Sequence, residues 1–268
     1  MTAYKHFREV NTMYANYHTH TTRCSHATGA DEDYIKAAIE SGFKILGFSD
    51  HAPCLFPDGS QSWYHVQISD LEDYMTSIRA LREQYGEQIQ IHLGFEMEYY
   101  PLCFRDSFAR LKAAGAEYLI LGQHAIENEV PGGRFSTRGY SAPADLKTYV
   151  REVCEGLQTG VYSYLAHPEV FKFLGEKEQY LELMRPICVT ARETGTPLEI
   201  NLLGIRDHRD YPIEEFWAMA AEEHCQVVLG SDAHSPDCVY DGYSIPIAME
   251  WVKKYDLRLL QEVELRKL

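Results

Sequence analysis

The sequence predicts an α/β fold: a closed or nearly closed β/α barrel in a single domain spanning residues 1–268. Short apolar runs alternate with amphipathic stretches, the pattern of βαβ units around a parallel sheet. The alternation occurs seven times with no linker, repeat or composition break. Histidines and carboxylates gather at the carboxyl ends of the apolar runs, the face on which the loops of a β/α barrel converge.

The elements follow in order. Strands are expected at Ala15–Thr21, Lys44–Ser49, Ile89–Tyr99, Tyr118–Gly122, Tyr162–Ala166, Pro197–Leu203 and Gln226–Gly230. A helix over Asp31–Glu40 is ended by Gly42. The next, Ser69–Tyr85, opens with Ser69 and Glu72 in capping-box spacing and stops at Gly86. Amphipathic spacing places further helices at Phe104–Ala114, Ala144–Leu157, Lys177–Glu193, Pro212–His224 and Ser244–Lys254, with Arg258–Leu268 as a terminal helix.

Composition narrows the class. At 268 residues and 45% hydrophobic, the chain buries a core of barrel size. A net charge of −15 without any run of Lys or Arg argues against a nucleic-acid partner and for small solutes. The seven cysteines are scattered, odd in number and lack C-x-x-C spacing, which reads as free thiols in a reducing compartment, the cytoplasm. The first twenty residues, with Lys5, Arg8 and Glu9, contain no apolar block, and nowhere do eighteen apolar residues run together. Neither a signal peptide nor a membrane span is therefore expected. The oligomeric state is left open.

His18 and His20, at i and i+2, project from one strand face, and Asp232 and His234 repeat that spacing after the last apolar run. Between them, His51 and Asp50 end the second strand, Glu96 the third, His124 the fourth, His167 the fifth, and Glu199 and Asn201 the sixth; His26 follows the first. Imidazole and carboxylate together suit zinc, manganese or iron(II) rather than a thiolate-bound structural zinc. The donors are too many for one ion, and two or three divalent ions sharing a carboxylate accommodate them.

As an ordered set, His18-x-His20-x5-His26, Ser49-Asp50-His51, Gly94-x-Glu96, Gly122-x-His124, His167-Pro168 and Asp232-x-His234 resemble the metal motifs of the polymerase and histidinol phosphatase (PHP) superfamily. The segment from Glu199 to Arg206 and the chain length resemble its histidinol-phosphate phosphatase branch. The resemblance implies a distorted (β/α)7 TIM-like barrel. It also implies one metal on His18, His20, Glu96 and Asp232, a second on Glu96, His124 and His167, and a third on His26, His51 and His234. The expected activity is that of a phosphomonoesterase in histidine biosynthesis, in which hydroxide shared by the ions attacks L-histidinol phosphate. A phosphatase for a nucleotide or sugar phosphate and a non-catalytic metal-dependent binding protein are the alternatives.

Phosphate recognition calls for an arginine fork. Arg206, just past the sixth strand, is the first candidate, with a surface ion pair as its bland reading. Arg134 and Arg138 sit in the long Glu127–Ala142 loop, a candidate lid. The Pro53–His65 loop offers Phe56, Trp63 and Tyr64 for stacking, or simply to cover the barrel mouth. Asp50 and Asp232 are candidate proton donors beside a metal-bound water. Asp50, Glu199 and Asn201 would otherwise orient ligands or hold the strand ends. His6, His65, His92, His208 and His224 receive no role.

Overall fold

The computed structural model describes residues 13–129 and 132–268. Lys5, His6, Arg8 and Glu9 lie outside the described residues, as do Val130 and Pro131 of the long loop.

Seven parallel strands form the barrel wall: β1 (Ala15–Asn16), β2 (Ile45–His51), β3 (Gln90–Met97), β4 (Tyr118–Leu121), β7 (Tyr162–Leu165), β8 (Leu198–Asn201) and β9 (Gln226–Gly230). Adjoining neighbours run β1-β2-β3-β4-β7-β8-β9, and a short β10 (Arg258–Leu259) pairs with the other edge of β9. A hairpin of β5 (Ala125–Ile126) and β6 (Arg134–Phe135) rises from the loop after β4. The connecting helices are α1 (Asp31–Glu40), α2 (Leu71–Tyr85), α3 (Phe104–Ala114), α4 (Pro143–Gln158), α5 (Lys177–Thr194), α6 (Leu202–Arg206), α7 (Glu214–Glu222) and α8 (Ser244–Lys254). The seven β/α units expected from the sequence are all present.

Closure differs between the two ends. At the carboxyl end, Thr19 bridges Ala233 in parallel, His20 N donates to Ala233 O at 3.0 Å, and Ala233 N donates to His18 O at 3.2 Å. This draws His18 and His20 toward Asp232 and His234. At the amino end β10 occupies the same edge of β9. Strand alternation sends Leu46, Phe48, Leu93 and Phe95 outward against the helices. Tyr17, Ile45, Tyr118, Tyr164 and Val228 fill the lumen, closed from below by Val263.

Four local expectations are corrected. The first strand stops at Asn16, and His18 and His20 lie in the extended segment held by the Thr19 bridge. Ser69 does not cap α2; a 3-10 turn, Ile68–Asp70, intervenes, and Ser69 Oγ donates to Asp70 Oδ1 at 3.2 Å. The strand expected over Pro197–Leu203 ends at Asn201, whose Oδ1 accepts from Gly204 N at 2.9 Å and starts α6. The terminal helix over Arg258–Leu268 is instead β10 and an irregular tail. There Val263 enters the lumen, and Arg266 is fixed by its N–H to Ser163 Oγ at 3.0 Å and its guanidinium to Thr194 O at 2.7 Å. These tertiary contacts override local helix propensity.

Candidate metal centre and active site

Glu96 is the hub. In-register pairing of β2 with β3 sets His51 opposite Glu96. Around its buried carboxylate stand His167 Nε2 at 2.7 Å, His51 Nδ1 at 3.2 Å, His18 Nε2 and His124 Nε2 at 3.5 Å, and His20 Nε2 at 3.6 Å. Asp232 Oδ1 approaches His20 Nε2 at 3.1 Å, His234 Nδ1 at 3.3 Å and His18 Nε2 at 3.6 Å. On the outer side, His26 Nε2 and His234 Nε2 are 2.9 Å apart. Burial opposes ionisation of Glu96, yet His124, His18 and His51 hold its carboxyl well below the usual range. Burial and the neighbouring His20 pull His234 down to about 3, so it is neutral near pH 7.

Backing groups aim the rings. His18 Nδ1 lies 2.8 Å from Glu199 Oε1, His124 Nδ1 lies 2.6 Å from Glu98 Oε1, and His26 Nδ1 lies 2.7 Å from Cys24 O. Each contact places the proton on Nδ1 and turns the Nε2 lone pair toward the centre, as a metal-ligating imidazole requires. Asn201 Nδ2 donates to Glu199 Oε2 at 3.0 Å and to Asp232 Oδ2 at 3.1 Å, linking the carboxylates of adjacent strands. Asp50 accepts from Thr21 N at 3.1 Å and His51 N at 2.8 Å, and faces His20 Nδ1 at 3.4 Å.

Several inward atoms are buried without a hydrogen-bond partner: His18 Nε2, both nitrogens of His20, His51 Nδ1, Glu96 Oε2 and Asp232 Oδ1. So many unmet donors and acceptors in one place would be costly in a core. Their residues fall into groups whose ligand atoms lie within 4.8 Å of one another: His18–His20–Glu96, His18–His167–Asp232, His51–Glu96–His124 and His26–His51–His234. Imidazoles that give up their protons to the ion and ionised carboxylates at these separations fit divalent cations.

The backbone makes room for the hub. A Cβ at Gly122 would stand 1.9 Å from Glu96 Oε1, and one at Gly230 would stand 1.7 Å from Glu199 Oε1. His167 and Asp232 adopt φ values of 28° and 45°, uncommon for residues with side chains and often found at functional sites. The His167 N–H is held by Glu199 Oε2 at 3.0 Å.

A cavity of about 420 Å³ opens over the cluster, floored by Glu96, His124, His167 and Asp232. Arg206, Arg209, Tyr64 and Tyr211 form its walls. Arg206 Nη1 donates to Asp241 Oδ2 at 3.0 Å; Arg209 Nη1 donates to the Tyr211 hydroxyl at 3.2 Å. The other arginines considered for substrate are not on the wall. Arg134 pairs with Glu127 and Asp145, and Arg138 lies over the Phe135 ring at 5.2 Å. Asp50, behind His20, does not line the cavity either, whereas Asp232 does. Of the stacking candidates, Tyr64 is on the wall, Trp63 is 69% exposed beside it, and Phe56 is buried against Tyr100.

Sequence reading missed Arg209, Tyr211, Glu98 and His65. Arg209 stands three residues after Arg206 in the same turn, a signal that was available. His65 carried none: the fold alone buries it with Nε2 at 3.2 Å from Glu129 and 3.5 Å from Glu98.

A parallel β/α barrel whose strand ends hold a buried histidine–carboxylate cluster beneath an open polar cavity has the architecture of a divalent-metal-binding barrel. Residues 16–202 match the family model described as PHP domain. A Schizosaccharomyces pombe protein described as "Probable histidinol-phosphatase" is 37% identical over 281 residues, covering 92% of this chain and 88% of its own. The histidinol-phosphatase of Bacillus subtilis is 25% identical over 264 residues, covering 87% of this chain and 97% of its own. The chain belongs to the PHP domain family. Its fold is that of the Lactococcus lactis histidinol phosphate phosphatase, solved with zinc, L-histidinol and phosphate: the TM-score is 0.72 at 19% identity, over 94% of this chain and 99% of that one.

Proposed function

We propose that this protein is a metal-dependent phosphomonoesterase that hydrolyses L-histidinol phosphate to L-histidinol and phosphate in histidine biosynthesis. The observation that carries the reading is the set of unpartnered, buried donors around Glu96, opening into a cavity walled by two arginines. The names of the curated relatives and the ligands of the L. lactis structure support the substrate. We assign two or three ions of zinc, iron or manganese to His18, His20, Glu96 and Asp232; to Glu96, His124 and His167; and to His26, His51 and His234. Ions bound there would make water acidic and offset charge on the phosphoryl oxygens.

The protein's own residues supply orientation and recognition. Glu199, Glu98 and the Cys24 carbonyl fix the histidine tautomers, and Asn201 locks Glu199 to Asp232. Arg209, together with Arg206, holds the phosphoryl oxygens, with Arg206 the weaker of the two because its partner Asp241, at 3.0 Å, is buried, whereas Arg209 pairs at 3.3 Å with the solvent-exposed Asp207. Tyr64 borders the space left for the leaving group, with Trp63 packed against it at 5.8 Å between ring centroids. Of the two carboxyls considered for delivering a proton to the departing alkoxide, Asp50 lies off the cavity and Asp232, which lines it, is kept ionised by the histidines around it, so the proton is left to a water at the centre. The enzyme is read as one domain acting in the cytoplasm, in keeping with its free cysteines.

A panel of phosphomonoesters, including L-histidinol phosphate, nucleoside monophosphates and sugar phosphates, tests the substrate after metal reconstitution. L-histidinol phosphate is expected to give the highest kcat/KM. A nucleotide or sugar phosphate in first place would replace the substrate while keeping the chemistry, and metal binding without turnover of any ester would reduce the protein to a binding role.

A further inference from the structure

A pair of thiols lies in the loops beside the metal centre. Cys54 follows Pro53 in the segment after β2, and Cys103 immediately precedes α3. Their Sγ atoms are 2.8 Å apart, although the residues are 49 positions apart in the chain. Both side chains are buried in a small apolar cluster with Phe56, Tyr100 and Ala125. Cys103 also lines a separate cavity of about 700 Å³, with Leu55, Leu102, Asp106 and Arg110. Cys103 borders that cavity and Cys54 does not, while the two residues are about equally buried, at 5% and 6% exposed. The hydrogen bond with Cys103 and burial push the Cys54 thiol up. Cys188 and Cys225 form a second close pair, but Cys225 Sγ donates to the Cys188 carbonyl at 3.3 Å.

We propose that Cys54 and Cys103 are a reversible disulfide site, oxidised by a peroxide. Attack of Cys103 sulfur on hydrogen peroxide breaks the O–O bond, giving a sulfenic acid and one water. Cys54 sulfur then displaces the sulfenic hydroxyl, the S–S bond forms, and a second water leaves. Two thiols lose two electrons and two protons, and the peroxide is reduced to two waters. The bond ties the start of α3 to the segment between β2 and α2, which places Tyr64 on the wall of the metal-centre cavity and His65 between Glu98 and Glu129. In a reducing compartment such a bridge is transient and responds to oxidant.

The test uses the intact, metal-loaded protein, exposed to hydrogen peroxide and then alkylated under denaturing conditions. Alkylatable thiols are expected to fall from seven to five, with a Cys54–Cys103 link in the non-reduced peptide map and recovery of seven after dithiothreitol. In Cys54→Ser the Cys103 sulfenic acid is expected to persist and react with dimedone. Seven unreacted thiols, a link through Cys188 and Cys225 instead, or direct overoxidation of Cys103 without a link would each overturn the proposal. The wild-type peptide map stands even if the serine variant fails to fold.

Discussion

At the scale of single residues, the centre depends on carboxylates that have no substitute. Glu96→Gln removes the charge that several imidazoles share, and both metal content and turnover are expected to fall together. Elemental analysis beside phosphate release checks this; a variant with normal metal and normal turnover would remove Glu96 from the site. Arg209→Ala is expected to lower kcat/KM by on the order of 10²-fold with metal content unchanged, and Arg206→Ala by less. Equal, wild-type kinetics in both would shift phosphate recognition elsewhere. Glu152, on α4, accepts from Glu127 N at 3.1 Å and is 2% exposed; burial raises its carboxyl to about 7 from an ordinary 4.5. Its raised folded value means that stability is full below the unfolded value and is lost as pH rises through the folded one. Urea unfolding from about pH 5 to 8 should show wild type losing on the order of 1–3 kcal/mol relative to Glu152→Gln. Parallel curves would refute it. His18, His20, Asp232 and His234, which the fold gathers at the centre, stood out because H-x-H and D-x-H spacing survives without structure. Glu98 did not, because what matters in it is direction, and Arg209 was passed over although its place three residues after Arg206 pointed to it.

At the scale of elements, strand ends do the positioning and glycine permits it. Gly122→Ala would drive a methyl into Glu96, 1.9 Å from Oε1, and Gly230→Ala would do the same to Glu199 at 1.7 Å. Each is expected to cost metal affinity as well as thermal stability. Retention of full metal by both variants would show that the carboxylates have room to move. Helices α1, α3 and α8 were readable to the residue, since amphipathic spacing and terminal glycine or lysine mark them locally. The end of β8 was not: Asn201 reads as a strand residue until Gly204 N is seen to need its side-chain oxygen.

At the scale of the whole molecule, barrel closure joins the site to the stability of the fold. The Thr19–Ala233 bridge brings His18 and His20 to Asp232 and His234, while Val263 seals the opposite mouth. Val263→Ala is expected to destabilise by on the order of 1–3 kcal/mol with kcat unchanged at temperatures where the protein stays folded. An unaffected denaturation midpoint would mean that the tail is not part of the core. Seven β/α units could be counted from hydrophobic alternation, but the tail could not be placed, because its apolar residues fit a helix locally and a barrel lumen only globally. The most direct test of a metal-cluster phosphatase is a titration of metal-stripped protein with divalent ions, following phosphate release from L-histidinol phosphate. Activity is expected to be absent at the start and to rise to a breakpoint above one ion per chain. Full activity in the stripped protein, or a plateau at a single ion, would contradict it.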